Sequence, residues 1–341
     1  MTSLLRCQQC KGLLTEEKDY FFCEQCNKSY PIYKDLIFMG FDKREKEYIK
    51  KVINTEKKHQ TDLRKIDEYL DYAYPSFKLG KLAIKNLLSM TRRKLHLKVL
   101  DIGAGAGAMS WLLAENGFDV WLCELEPNSL FSGLVYKHKN LGTGKRIVGD
   151  AKILPFENQT FDVVFCKEFA HHIKNIVTLF TEVHRVLKMD GYLLLVEPVL
   201  SLYLFFYLQL RPEKHFGHFY HTLLEYFQIL RKKRFLIEKF GLFFYNEDSK
   251  LGVIQNMKKK FNSEILHGIS NKNKISKFLY ASLIGGSVII FARKINELKS
   301  TELQSSQIEV VPTDYLTLDD NYLQKVEPFF SLIKKINDEI K

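Results

Sequence analysis

Four cysteines stand near the N-terminus as two pairs, Cys7-x-x-Cys10 and Cys23-x-x-Cys26. A Cys-x-x-Cys turn aims two thiolates at one ion, and two such turns supply four sulfur ligands in a tetrahedron. The first residues, Met-Thr-Ser-Leu-Leu-Arg-Cys, carry no apolar secretory core, so metal is favoured over disulfides. The reading is a structural Zn2+ on Cys7, Cys10, Cys23 and Cys26, with a redox role for one pair as the lesser alternative. A second locus is Asp101-Ile-Gly103-Ala-Gly105-Ala-Gly107. Its alternating glycines let the backbone turn sharply and approach a ligand, and a following helix would present free N–H groups to it. Glu124 stands about 20 residues beyond, where an acid can accept both hydroxyls of a ribose. Asp150 follows in Gly149-Asp150-Ala151, placed to accept from an adenine amine, with Ile153 and Leu154 to cover the ring. Gly103-x-Gly105-x-x-Ala108 also satisfies the dinucleotide fingerprint, so a nicotinamide cofactor is the rival ligand. Histidines supply the third locus. His171-His172 follows an apolar run, and His215, His218 and His221 recur at intervals of three around Tyr220. Histidine titrates near neutrality and can serve as a general base. The three spaced histidines have no Asp or Cys to complete a metal site among them.

These residues need elements to hold them. Lys98–Ile102, Val120–Cys123, Lys145–Val148, Phe161–Cys166, Tyr192–Val196 and Ser287–Ala292 are short apolar runs of strand character. Met109–Asn116, Pro127–Tyr136 and Ile176–Leu187 have helical spacing between them. Strands alternating with helices imply an α/β fold with a parallel, doubly wound sheet, whose ligands lie beyond the carboxyl ends of the strands. Thr222-Leu-Leu-Glu225 has capping-box spacing and should open another helix. Four zones follow: 1–40, the Cys module; 41–97, a charged helix-prone stretch interrupted by Pro75; 98–295, the α/β domain; and 296–341, a polar tail with a helical candidate over Asp319–Ile340.

The run Val-Leu-Asp-Ile-Gly-Ala-Gly-Ala-Gly, then Glu124, then Gly-Asp-Ala…Leu-Pro-Phe…Phe-Asp-Val-Val, then Glu182-Val-His-Arg-Val-Leu-Lys…Gly191-Tyr-Leu-Leu-Leu-Val, resembles class I S-adenosylmethionine (SAM) methyltransferases in register over roughly 98–198. The resemblance implies a Rossmann-like, mostly parallel seven-stranded sheet. It implies that Gly103, Gly105 and Gly107 approach the methionine part of SAM, with Asp101 by its amino group. Glu124 would take the ribose, and Asp150 with Ala151 the adenine. The acceptor would lie near the end of the fourth strand, by Glu168, His171 and His172, with His218 and Tyr220 on a loop closing over it. Residues 199–285 would form that acceptor or lid region. Residues 23–38 are similar to zinc ribbons fused to bacterial methyltransferases.

Length and composition fit a soluble globular protein of one or two domains. The net charge is +11. A basic balance suits RNA, phosphate groups or an anionic membrane surface without choosing among them. The longest apolar stretch, Pro198–Leu210, is too short to span a bilayer. It reads as core or lid packing, with peripheral membrane or lipid contact as the alternative. A cytoplasmic location is expected. The leading reading is methyl transfer from SAM to a small-molecule, glycan or lipid acceptor. RNA methylation guided by the zinc ribbon follows, and a non-catalytic SAM-binding scaffold comes last. Cys123 and Cys166 are expected to be inert core thiols.

Overall fold

The computed structural model describes residues 4–33, 36–39, 80–92, 96–105, 107–125, 146–200, 205, 209, 217–243, 286–296 and 309–310. The expected helices over Pro127–Tyr136 and Asp319–Ile340, and most of the apolar run after Val199, lie outside the described residues. Four short strands begin the chain: β1 (Thr15–Glu16), β2 (Tyr20–Cys23), β3 (Lys28–Tyr33) and β4 (Leu36–Phe38). A helix, α1, covers 80–90. Then come β5 (Lys98–Ile102), α2 (Ala108–Glu115), β6 (Asp119–Glu124), β7 (Arg146–Val148), β8 (Phe161–Lys167), α3 (Ile176–Val186) and β9 (Leu187–Val199). The last elements are α4 (Leu223–Lys232), β10 (Phe235–Phe243), β11 (Gly286–Lys294) and β12 (Glu309–Val310).

The sheet order is β1-β2-β3-β4-β7-β6-β5-β8-β9-β11-β10-β12. Strands β7, β6, β5, β8 and β9 pair in parallel. Strand β11 runs antiparallel to both β9 and β10. The expected seven-stranded core, β7-β6-β5-β8-β9-β11-β10, is therefore present with β11 reversed, within a sheet that is mixed rather than mostly parallel. The sheet does not stop there: it has twelve strands. Strand β4 pairs in parallel with β7, so the Cys module extends one edge, and β12 extends the other along β10. An unpaired strand edge leaves backbone N–H and C=O groups open, and β4 closes that of β7.

The core strands are apolar on both faces because helices and loops cover both. Val99, Leu100, Val163, Val164, Phe165, Leu194 and Leu195 are all completely buried. Each such side chain contributes about 1.5–3 kcal/mol on leaving water. Helix α3 places Leu179, Phe180 and Val183 in this core, and the Asn175 side chain caps it by accepting from the Val177 N–H. Two boundaries differ from the sequence expectation. Helix α3 ends at Val186, one residue early, because Leu187 turns extended and already pairs with Phe161. Strand β9 is much longer than Tyr192–Val196, since β11 pairs with it as far as Val199. The capping box opens α4 as expected, with Thr222 and Glu225 bonded reciprocally. Strand β10 has no counterpart in the sequence reading. Among the described residues, no helix is long and apolar enough to cross a membrane.

Candidate functional site

The carboxyl ends of β5, β6 and β7 bring the glycine turn and its acids to one rim of the sheet. Asp101, one residue before the end of β5, is buried, and the Ser110 hydroxyl donates to its Oδ2 at 2.5 Å. Burial pushes the Asp101 carboxyl up to about 7, against the opposing pull of Ser110 and the Lys167 charge. Gly103 has φ 68°, and a Cβ there would lie 2.3 Å from the Phe169 ring. A side chain is thus excluded by conformation and by space. Gly107, also at φ 68°, is the N-cap of α2. Glu124 ends β6, and its Oε2 accepts from the Gly105 N–H at 3.0 Å while Oε1 accepts from the Leu125 N–H at 2.7 Å. Glu124 and the glycine turn therefore meet directly. Asp150 caps the 3-10 turn Ala151–Ile153 by accepting from the Lys152 N–H at 2.8 Å, and its other oxygen pairs with Lys152 Nζ. Ala151 is buried and Ile153 is exposed beside it. Leu154 is completely buried in the core, which corrects its expected place over the adenine ring.

The segment after Asp150 is clamped from α3. Arg185 donates to the carbonyls of Phe156 (2.6 Å) and Leu154 (2.8 Å), and Glu182 accepts from the Leu154 N–H (2.7 Å) while pairing with Arg185. Both residues belong to the Glu182-Val-His-Arg185 run, whose spacing of three puts them on one helix face. Sequence reasoning saw the motif but not this task.

At the ends of β8 and β9 lies a second cluster. Glu197 is completely buried. Its Oε1 accepts from the Phe169 and Ala170 N–H groups, both at 2.7 Å, and its Oε2 meets His171 Nδ1 at 2.8 Å. His171 is buried; its ring lies 4.3 Å from that of His172 and 5.0 Å from that of His218, centroid to centroid. The Tyr220 ring stacks on His171 at 5.6 Å, and Tyr220 Oη meets His218 Nδ1 at 3.0 Å. Burial, then the neighbouring His171 and His218, lowers His172 to about 4. His218 is lowered by burial and by His171. Glu168 stands apart, at φ 50° and paired with Lys167. The structure gathers His171, His172, His218 and Tyr220. His221 turns away, its Nε2 directed at the Ile173 carbonyl. His215 lies outside the described residues. Glu197 was missed by sequence reasoning; the available signal was an acid closing the apolar run Tyr192–Val196.

The four N-terminal cysteines converge as expected, each offering a sulfur within 4.8 Å of the others. Lys11 (φ 60°) and Asn27 (φ 51°) close the two turns in left-handed conformation. Cys7 is lowered to about 6, because hydrogen bonds from Tyr30 Oη and backbone N–H groups outweigh its burial. Cys26 is pushed up to about 12, by its hydrogen bond with Cys10 and by burial. Four sulfurs this close ionise together only around a cation, and a tetrahedral Zn2+ fits the donor set. The module also touches the segment that follows Asp150. Gln8 Nε2 donates to the Ile153 carbonyl (2.7 Å), the Arg6 N–H donates to the Pro155 carbonyl (2.9 Å), and Arg6 pairs with Glu157 (2.7 Å). Cys123 and Cys166 are buried, and burial pushes both thiols well up.

Residues 100–195 match the family described as "Methyltransferase domain". An uncharacterized methyltransferase, YcgJ, of Bacillus subtilis (strain 168) is 38% identical over 105 residues, which are 29% of this chain and 40% of that protein. The sterol 4-C-methyltransferase strm-1 of Caenorhabditis elegans is 32% identical over 139 residues, 37% of this chain and 41% of that protein. The chain thus spans about two fifths of the length of these curated relatives. A solved structure from Galdieria sulphuraria, assigned as a sarcosine dimethylglycine methyltransferase, superposes with a TM-score of 0.50 at 15% identity over 65% of this chain and 88% of that one. The fold is shared. The match to a methyltransferase domain covers residues 100–195, which hold most of β5 to β9.

Proposed function

We propose that the protein moves a methyl group from SAM to a small-molecule or lipid acceptor. One observation carries the reading: buried Asp101, the left-handed glycine turn, Glu124 and Asp150 stand together at the carboxyl ends of three adjacent strands. Asp101 would hold the methionine amino group, Glu124 the ribose, and Asp150 with Ala151 the adenine. Methyl transfer from a sulfonium is an in-line displacement in which positioning supplies much of the acceleration. The cluster of His171, His172, His218 and Tyr220 stands at the neighbouring strand ends, where an acceptor would lie, and an imidazole there would take its proton. Glu197 would orient His171 rather than touch the acceptor. Glu168 would line the entrance.

Several relatives are named for lipid-type acceptors, including a sterol 4-C-methyltransferase and a fatty-acid O-methyltransferase of Mycolicibacterium smegmatis. Their names favour a small or lipid acceptor over RNA. The Cys cluster is proposed to carry one structural Zn2+, since all four ligand places are protein sulfur. Titration calorimetry with SAM and with NADH tests the donor half: tight NADH binding with silent SAM would refute it. Incubation with methyl-labelled SAM and fractionated extract tests the acceptor half. Label entering small molecules or lipids supports the reading, and label entering RNA alone overturns it.

A further inference from the structure

Three histidines that are scattered in the sequence meet at the ends of β8 and β9. We propose that His171, His172 and His218 form a binding site for a divalent transition metal, distinct from the Cys cluster. The inference deepens the proposed function: a metal held there replaces the free imidazole base, and it rests on that function only for the identity of what the metal would face, an oxygen or nitrogen atom of the acceptor.

The geometry has three parts. First, each histidine offers a ring nitrogen, and the three nitrogens lie within 4.8 Å of one another. A tetrahedral metal at about 2.0–2.1 Å from each nitrogen needs them about 3.4 Å apart. Closing from that limit falls to the exposed His172, since buried His171 is held by Glu197. Second, the outer nitrogens of two of the ligands already have partners. His171 Nδ1 is bonded to the buried Glu197, and His218 Nδ1 meets Tyr220 Oη. A carboxylate or hydroxyl behind a ligating imidazole fixes its tautomer and aims the other nitrogen at the ion. Both Nε2 atoms are then left to ligate. Third, the set is incomplete in the manner of a reactive site. Three imidazoles leave at least one coordination position, as in sites that bind water or substrate, whereas four cysteines leave none. Imidazole donors select late first-row ions such as Zn2+, Co2+ and Ni2+ over Mg2+ and Ca2+.

The arrangement also explains Glu197. A bare carboxylate completely buried at a strand end is costly. Here it accepts from the Phe169 and Ala170 N–H groups, with the His171 N–H at 3.4 Å and Cys166 Sγ at 3.9 Å, and its Oε2 meets the imidazole of the central ligand.

The test uses the full chain, stripped with EDTA under reducing conditions and titrated with Co2+. Thiolate ligands give intense charge-transfer absorption in the near ultraviolet, and imidazole ligands give only weak visible bands. The expected result is a cobalt equivalent with visible bands and no thiolate absorption, beside a thiolate-bound one. The double variant His172→Gln with His218→Gln loses that equivalent and keeps the thiolate-bound one. Cys23→Ser with Cys26→Ser does the reverse. Equal cobalt stoichiometry in wild type and the histidine variant overturns the inference, as does a wild type showing thiolate absorption alone. SAM binding, measured on the same samples, separates the two claims. SAM binding without the imidazole-bound cobalt sinks the metal site alone. That cobalt without SAM binding sinks the methyltransferase reading alone.

Discussion

Asp101 offers the sharpest test, because its carboxyl stands near half-ionised at neutral pH. Its pKa is raised to about 7 by burial. The ammonium group of SAM pairs only with the ionised form. With a pKa of about 7, the ionised fraction rises from ~0.03 at pH 5.5 to ~0.5 at pH 7, about sixteenfold or ~1.6 kcal/mol in binding free energy. The amino group of SAM stays largely charged over that range, since α-amino groups titrate at about 7.7–8.0. SAM affinity should therefore strengthen roughly tenfold or more from pH 5.5 to 7, with proton release on binding. Calorimetry in two buffers of different ionisation enthalpy measures both. Asp101→Asn should bind SAM weakly and without the pH dependence. A flat profile in the wild type, or the same slope in Asp101→Asn, would refute the reasoning. The sign for stability without SAM is opposite. A raised carboxyl pKa contributes stability below 3.8, and that contribution is lost as pH rises through about 7. The gain in melting temperature on adding SAM should accordingly be largest above pH 7.

Three further outcomes are expected. Glu197→Gln leaves backbone N–H groups facing an amide, and should lower unfolding free energy by about 3 kcal/mol in urea denaturation; a change within a few tenths would show that the network is not structural. Gly103→Ala meets a left-handed φ costing about 1–2 kcal/mol and a clash with Phe169. It should abolish SAM binding in calorimetry while circular dichroism stays native, and retained affinity would count against a close approach at that turn. Chelation of the Cys cluster should lower the melting temperature and also weaken SAM, because Arg6 and Gln8 hold the 153–157 segment beside Asp150; unaltered SAM affinity after metal removal would uncouple the two.

The proposed donor half of the site was legible in the sequence because its parts are local to single strand ends. Asp101, the glycines and Glu124 each sit at a fixed offset from an apolar run, and a parallel sheet brings those ends together whatever the loops do. The Cys pairs are legible for the same reason: each knuckle is a four-residue unit. The capping box of α4 needs only Thr222 and Glu225. Tertiary structure decided the rest. Leu154 could be expected to face a ligand, but the clamp by Glu182 and Arg185 turns it into the core. The edge of β7 gave no sign that β4 would close it, since edge pairing depends on backbone groups rather than side-chain type. The sequence suggested His215, His218 and His221 as a set, because they are evenly spaced. The fold instead gathers His171 and His172 from the end of β8, Glu197 from the end of β9 and His218 from the loop before α4. No spacing rule joins residues so far apart in the chain, and only the pairing of β8 with β9 and the return of that loop across their ends could bring them into contact.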